Sequence, residues 1–312
     1  MKRKVIKLAE NTFVISLPSS FIKRYNLGKG DVLDTELLDD KFIIYTSKSE
    51  TAGEISVDIQ KLDKKVIRWL LSAIYKKGYD GVSIKLDESQ RDFVVNELKE
   101  YIGFSILEEK DNLLTVKSII KENKEDIHNV LRRAFRVTIK MARDLSSLIK
   151  NDLSKNISSK KNLSKHNLSK YLIDIRKLEF ENNQLVNFCE RIINKKSDLQ
   201  AKEKTFYYVI VWNLEKICDN FKYICDDIEQ DAQPPSKQEI GIFDEINSLL
   251  DSYYALFYNF NIEKMNALVI KINELKNEIK KIKNPSASLL HLSLCLQQIA
   301  DLSSSYIGIN IR

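Results

Sequence analysis

The chain has little of what interrupts regular structure. Its 312 residues include only 8 glycines and 4 prolines. So few breakers favour long uninterrupted helices over much of the length. Cysteine is scarce too, and none of Cys189, Cys218, Cys225 and Cys295 forms a Cys-x-x-Cys pair. Cys218 and Cys225 lie seven positions apart, two turns along a helix face, too far to bond to each other. All four sit in apolar helical surroundings and read as small core residues of a reducing compartment, not as a metal site. No run approaches the roughly 18 apolar residues of a membrane helix. The basic start lacks an apolar signal core, so a cytoplasmic location is expected.

No strong charge of one sign is present either. Fifty Lys and Arg against 44 Asp and Glu leave a net charge of +6. That describes a mixed, solvated surface better than a global nucleic-acid face. Hydrophobic residues make up 43% and charged ones 30%, the balance of a soluble globular chain of two or three domains.

The opening segment, residues 1–50, carries the most information. Lys2-Arg3-Lys4 leads into the strand-like Val5-Ile6-Lys7-Leu8. A polar corner at Glu10-Asn11-Thr12 precedes Phe13 to Leu17, and Pro18-Ser19-Ser20 opens a short amphipathic run from Phe21 to Tyr25. The turn Leu27-Gly28-Lys29-Gly30-Asp31 then gives way to two more strand-like runs, 32–38 and 41–46, joined at Asp39-Asp40. A strand, strand, short helix, strand, strand unit of this size is too small to bury a core alone, so a partner chain is expected.

After punctuation at Thr51-Ala52-Gly53, residues 54–119 read as a small α/β domain. Strands are expected at 55–59, 82–86, 104–108 and 113–119, and helices at 62–77 and 90–101, the second capped by Ser89, with right-handed crossovers. It contains no phosphate-cradling loop and no nucleophile motif, and a spacer or small interface is its simplest role. From about residue 123 the periodicity is helical. Six helices are expected at 124–152, 165–196, 198–231, 237–260, 262–282 and 286–307. A Ser/Asn/Lys-rich break at 154–165 and the Pro234-Pro235 break at 232–236 interrupt them. The second break divides two all-α three-helix bundles, 123–232 and 237–312.

The third helix of each set carries Leu-x-x-Ile-x-Asp. The copies are Leu214 to Asp219 and Leu296 to Asp301, eighty-two positions apart, which supports duplicated bundles. Glu215 and Asp219 are spaced i, i+4 on one face, where two carboxylates can share a cation, though a solvated acidic face is the commoner meaning of that spacing. The second copy has Gln297 in place of the first carboxylate and keeps Asp301, and an amide is a much weaker cation ligand. Of the three histidines, His128 stands three after Glu125, half of a di-iron spacing. His291 has Ser288 at the matching position and His166 lies in the polar break, so all three read as structural or surface residues. No elbow or glycine-rich loop frames a nucleophile, and an enzyme is not expected.

Two resemblances follow from these residues. Val14-Ile15-Ser16-Leu17-Pro18, the short helix and Leu27-Gly28-Lys29-Gly30-Asp31 resemble the AbrB/SpoVT swapped-hairpin DNA-binding domain. That resemblance implies that two chains interleave into one small β-barrel, with Lys2, Arg3, Lys4, Lys7, Lys23 and Arg24 as its candidate DNA contacts. Asp31, Asp34, Glu36, Asp39 and Asp40 offset these in the same unit. The segment Leu214 to Phe221 resembles the third-helix signature of PhoU proteins, with Glu179 and Glu181 where an acidic second helix would run. This implies a divalent or ferric ion at the first bundle held by Glu215 and Asp219, and a degenerate second motif at Gln297 and Asp301. The order as a whole resembles an archaeal PhoU-type regulator. It implies a homodimeric regulator of phosphate uptake that binds DNA and relays phosphate status to a transporter ATPase or signalling protein. The alternative is an adaptor whose barrel only dimerises while the bundles contact the phosphate ABC transporter ATPase.

Overall fold

The computed structural model describes residues 2–38, 41–45, 53–120, 126–150, 165–195, 201–230 and 235–310. The expected turn at 39–40, the punctuation at 51–52, most of the polar break at 154–165, residues 232–234 and Glu125 lie outside them. The described chain is mostly helical, with a smaller sheet portion toward its amino-terminal end. It divides into two compact units, 1–54 and 55–312. The second therefore holds the three segments 54–119, 123–232 and 237–312 almost entirely.

In the first unit, β1 (Val5–Ala9) and β2 (Thr12–Ile15) form an antiparallel hairpin, with Val5 opposite Ile15 and Lys7 opposite Phe13. Pro18 precedes the next helix, and its carbonyl accepts from Phe21 N and Ile22 N at 3.0 and 3.1 Å, starting α1 (Ser19–Arg24). The expected Gly-x-Gly-Asp turn follows. Gly28 N donates to Asp31 Oδ2 at 2.9 Å, and Gly30 takes φ +93°, a conformation that favours glycine. A second hairpin pairs β3 (Asp34–Leu38) with β4 (Lys41–Tyr45), Leu37 opposite Phe42. Among the described residues the two hairpins are separate two-stranded sheets and close no barrel within one chain.

The second unit begins with a four-stranded sheet in the order β5-β6-β8-β7, made of β5 (Glu54–Asp58), β6 (Gly81–Lys85), β7 (Phe104–Lys110) and β8 (Leu113–Ser118). β8 runs antiparallel to both β6 and β7. Helix α2 (Lys64–Lys76) is capped by Asp63, whose side chain accepts from Lys65 N at 2.8 Å. Helix α3 (Glu88–Leu98) begins ahead of the expected Ser89 cap. The Gln90 side-chain oxygen accepts from Asp87 N at 3.0 Å, while its amide donates to Ile59 O at 3.0 Å, tying the helix start to the sheet. Ile59, Ile67, Leu71, Val82, Ile84, Val94, Leu114 and Val116 form the core of this layer.

Among the described residues six long helices follow: α4 (Asp126–Leu148), α5 (Lys165–Lys195), α6 (Ala201–Glu229), α7 (Lys237–Tyr258), α8 (Ile262–Ile279) and α9 (Ala287–Asn310). Each lies within a few residues of its expected span. Helices α4, α5 and α6 all touch one another, as do α7, α8 and α9. The trios are joined along α6 and α9, the most extensive helix pairing among the described residues, and again where α4 meets α7. Glu239 locks the second trio at one end. Its carboxylate accepts from Ser236 N at 2.5 Å, Ser286 N at 2.9 Å and Ser286 Oγ at 2.8 Å, which outweighs its burial and lowers its pKa. All four cysteines are free and buried among these helices, and burial pushes each thiol upward, that of Cys225 to about 12.

Candidate functional site

The amino-terminal bases stand in water. Lys2, Arg3 and Lys4 lead into β1, and Lys23 and Arg24 close α1, all exposed. Lys7 shares a hairpin face with Val5, Phe13 and Ile15, its Nζ 5.9 Å from the Phe13 ring centroid. Arg24 lies 5.7 Å from the Tyr25 ring. Among the described residues, none of the six has an ion-pair partner.

The same unit has no buried side chain among its described residues. Phe13 is 62% exposed, Leu8 69% and Val32 86%. Both faces of the first hairpin are apolar: Val5, Phe13 and Ile15 on one, Ile6 and Leu8 on the other, all exposed. A hairpin facing water on one side alternates apolar with polar, and this one does not. On the second hairpin, the cross-strand pair Leu37 and Phe42 is likewise exposed.

In the second unit, the Leu-x-x-Ile repeat is core chemistry. Leu214, Ile217, Leu296 and Ile299 are fully buried where α6 meets α9. Between the same helices, Asn220 Nδ2 donates to Gln298 Oε1 at 3.1 Å, and His291 Nδ1 lies 3.2 Å from Asn220 Oδ1. His128 packs edge-on against Tyr207, at 5.7 Å between ring centroids.

Glu215 and Asp219 share a half-buried face as their spacing predicts, but lysines already stand on them. Lys216 Nζ lies 3.0 Å from Asp219 Oδ2 and 3.3 Å from Glu215 Oε1. Lys222 Nζ lies 2.8 Å from Asp219 Oδ1 and 2.9 Å from Glu179 Oε1. Burial would lower the pKa of both lysines, and the facing carboxylates more than offset it, raising them. The two ammonium groups hold both Asp219 oxygens, so the pair as it stands does not fit a metal ion. Among the described residues no group of three or more His, Cys, Asp or Glu gathers to hold one. Glu181 faces elsewhere, onto Arg133 at 2.6 Å. In the second copy, Gln297 Nε2 donates to Asp301 Oδ1 at 3.0 Å and Lys276 Nζ donates to Gln297 Oε1 at 2.8 Å.

Around these carboxylates lies a polar seam where α5 meets the α/β layer. Arg191 is fully buried, and its guanidinium is partnered there: Nη1 donates to Tyr75 O at 3.1 Å and Tyr79 O at 2.7 Å, and Nη2 pairs with Asp80. Asn194 Nδ2 donates to Lys76 O at 2.9 Å. These bonds tie α5 to carbonyls at and just beyond the end of α2, and Gly78 at φ +90° lets the chain turn there with the Lys195 side chain close by. Glu190 is fully buried. Lys76 Nζ lies 2.6 Å from its Oε2. Burial raises the Glu190 pKa and Lys76 opposes it. Glu100 is pushed up to about 7, first by burial, then by Glu97 and Glu179. The spacing of apolar residues could not signal this seam, because each partner comes from another element.

Comparison of the chain with protein-family models, with curated proteins and with solved structures finds no match. No helix among the described residues is long and apolar enough to cross a membrane.

Proposed function

We propose that the chain is a homodimeric, cytoplasmic regulator of phosphate uptake. Two amino-terminal units interleave into one swapped-hairpin barrel, and that barrel binds DNA through Lys2, Arg3, Lys4, Lys7, Lys23 and Arg24. The helical trios, read as PhoU-like bundles, relay phosphate status to a transporter ATPase or signalling protein. The observation that carries the dimer is the first hairpin, apolar on both faces with no buried side chain among the described residues of its unit. A second copy is the simplest cover, because it brings identical apolar faces and doubles six bases about a two-fold axis. The six bases, without ion-pair partners among the described residues, support DNA as the ligand. The phosphate role rests on the resemblance of the bundle signature. Metal binding is no part of this reading, since Lys216 and Lys222 occupy both oxygens of Asp219.

The test combines light scattering with fluorescence anisotropy on DNA from upstream of a phosphate-transport operon, against scrambled competitor. A dimer is expected, binding its site in preference to the scramble. Lys23→Ala/Arg24→Ala removes up to four phosphate contacts per dimer and lowers the log–log salt slope by about 4. A dimer that binds no DNA at low salt overturns the DNA role and leaves an adaptor that contacts the transporter ATPase. A monomer at micromolar concentration overturns the barrel itself.

A further inference from the structure

Helix α4 carries a stripe of cations that its apolar periodicity hides. Arg132, Arg133, Arg136, Lys140 and Arg143 fall within about 100° of arc on one helix face. They line an open groove of about 890 Å³ between α4, α5 and α7, floored by Val137, Ile139 and Leu178. All five bases are exposed.

Three of them already hold carboxylates. Arg143 Nη2 reaches both oxygens of Asp251 on α7, at 2.7 and 2.8 Å. Arg133 reaches Glu181 Oε1 on α5 through Nε at 3.1 Å and Nη2 at 2.6 Å. Lys140 pairs with Asp144 at 2.6 Å, one turn along its own helix. The other two have no carboxylate among the described residues. Arg132 lies 4.8 Å from the Tyr258 ring centroid, and Arg136 has neither a hydrogen bond nor an ion pair among the described residues. They are spaced i, i+4, about 6 Å apart along the axis.

We infer that this groove docks an acidic amphipathic helix of a partner protein, with two of its carboxylates, one turn apart, seated on Arg132 and Arg136. The groove already receives carboxylates borne on helices at Glu181 and Asp251, so the geometry suits that chemistry. Guanidinium takes carboxylate through paired N–H donors, and an apolar floor beside the charges suits the apolar stripe of such a helix. A small free anion fits less well, because none of the five cations is buried and a lone phosphate there would stay hydrated. Nucleic acid fits less well again, because its phosphates recur along the whole groove, whereas only Arg132 and Arg136 are left without a carboxylate among the described residues, a match for two carboxylates one turn apart. The inference rests on α4 and its neighbours alone and stands whether or not the amino-terminal unit binds DNA.

The experiment is fluorescence anisotropy of the full chain with a labelled helical peptide of about 20 residues, a length spanning the groove. It carries leucines on one stripe and glutamates at i, i+4 beside it. A second peptide has every glutamate replaced by glutamine. The glutamate peptide should bind at least tenfold more tightly, and Arg132→Ala/Arg136→Ala should weaken it at least tenfold. Lys280→Ala/Lys283→Ala, which removes the same charge from a distant loop, should leave it unchanged. Thermal unfolding of each variant checks that the fold persists, as expected for exposed side chains. Equal binding of the two peptides, or equal weakening by both double variants, overturns the proposal. So does inorganic polyphosphate that binds through Arg132 and Arg136 where the glutamate peptide does not, which would make the groove a phosphate site.

Discussion

The amino-terminal hairpins and the helical trios solve the same problem in opposite ways. The trios bury Leu214, Ile217, Leu296 and Ile299 against one another within one chain, and each such side chain contributes roughly 1.5–3 kcal/mol. Where they bury charge, as at Arg191 and Glu190, the same chain supplies the partners. The hairpins have regular strands and a glycine turn closed by Asp31, yet none of their described side chains is buried. Local structure and a core are therefore separable. Residues 2–38 and 41–45 specify the first without the second, and the exposed Phe13, Leu8 and Val32 mark what is missing.

The comparison can be broken at its strongest point first. Replacing Arg191 with Leu leaves Asp80 to Lys195 and strips the end of α2 of its guanidinium donors. Loss of about 3 kcal/mol is expected in chemical denaturation followed by circular dichroism, because the Tyr75 and Tyr79 carbonyls lose the guanidinium donors that reach them. A loss under about 1 kcal/mol would show that the seam contributes little.

Phe13→Asp probes the other region. One such change removes about 2–3 kcal/mol of apolar burial per protomer if a second copy covers the hairpin. Sedimentation velocity should then show monomer where the wild type is dimer, with the helical unit melting at an unchanged temperature. A shared fall in both would mean that the two regions fold as one.

The smallest effect sharpens the comparison by pH. Glu100 titrates near 7 in the folded chain against 4.5 as an unperturbed glutamate. A raised carboxyl pKa means that the fold prefers the protonated form, so stability is full below pH 4.5 and declines as pH rises toward 7. Glu100→Gln should therefore be the more stable protein at about pH 8, with the gap closing by about pH 4.5. The ceiling is about 3 kcal/mol, and about 1–2 is expected because water reaches part of the side chain. A gap that is the same at both pH values would remove Glu100 as the cause.

Much of the fold is legible in the sequence. Apolar periodicity locates all six long helices, and alternation locates the strands of both regions, because each signal is local. The start of α3 is not legible, because Ser89 resembles a cap while Gln90 reaching back to Asp87 moves the start forward. The Glu215–Asp219 spacing does predict a shared face, but nothing in the spacing says that Lys216 and Lys222 fold back onto Asp219. Arg191 is hidden for a similar reason: an arginine in a helix reads as solvated until Tyr75, Tyr79 and Asp80, more than a hundred positions away, close around it. The α4 cations are hidden because an apolar stripe defines one face of a helix and says nothing of the use of the other.

The buried cysteines make the chain its own stopwatch. Each of the four thiols is shielded, and burial keeps each in its unreactive protonated form at neutral pH. Cys189, Cys218 and Cys225 lie in the first trio and Cys295 in the second. Pulse alkylation followed by peptide mass mapping would therefore time the opening of each trio separately, in the unaltered protein, and reveal whether the α6–α9 seam makes them open together.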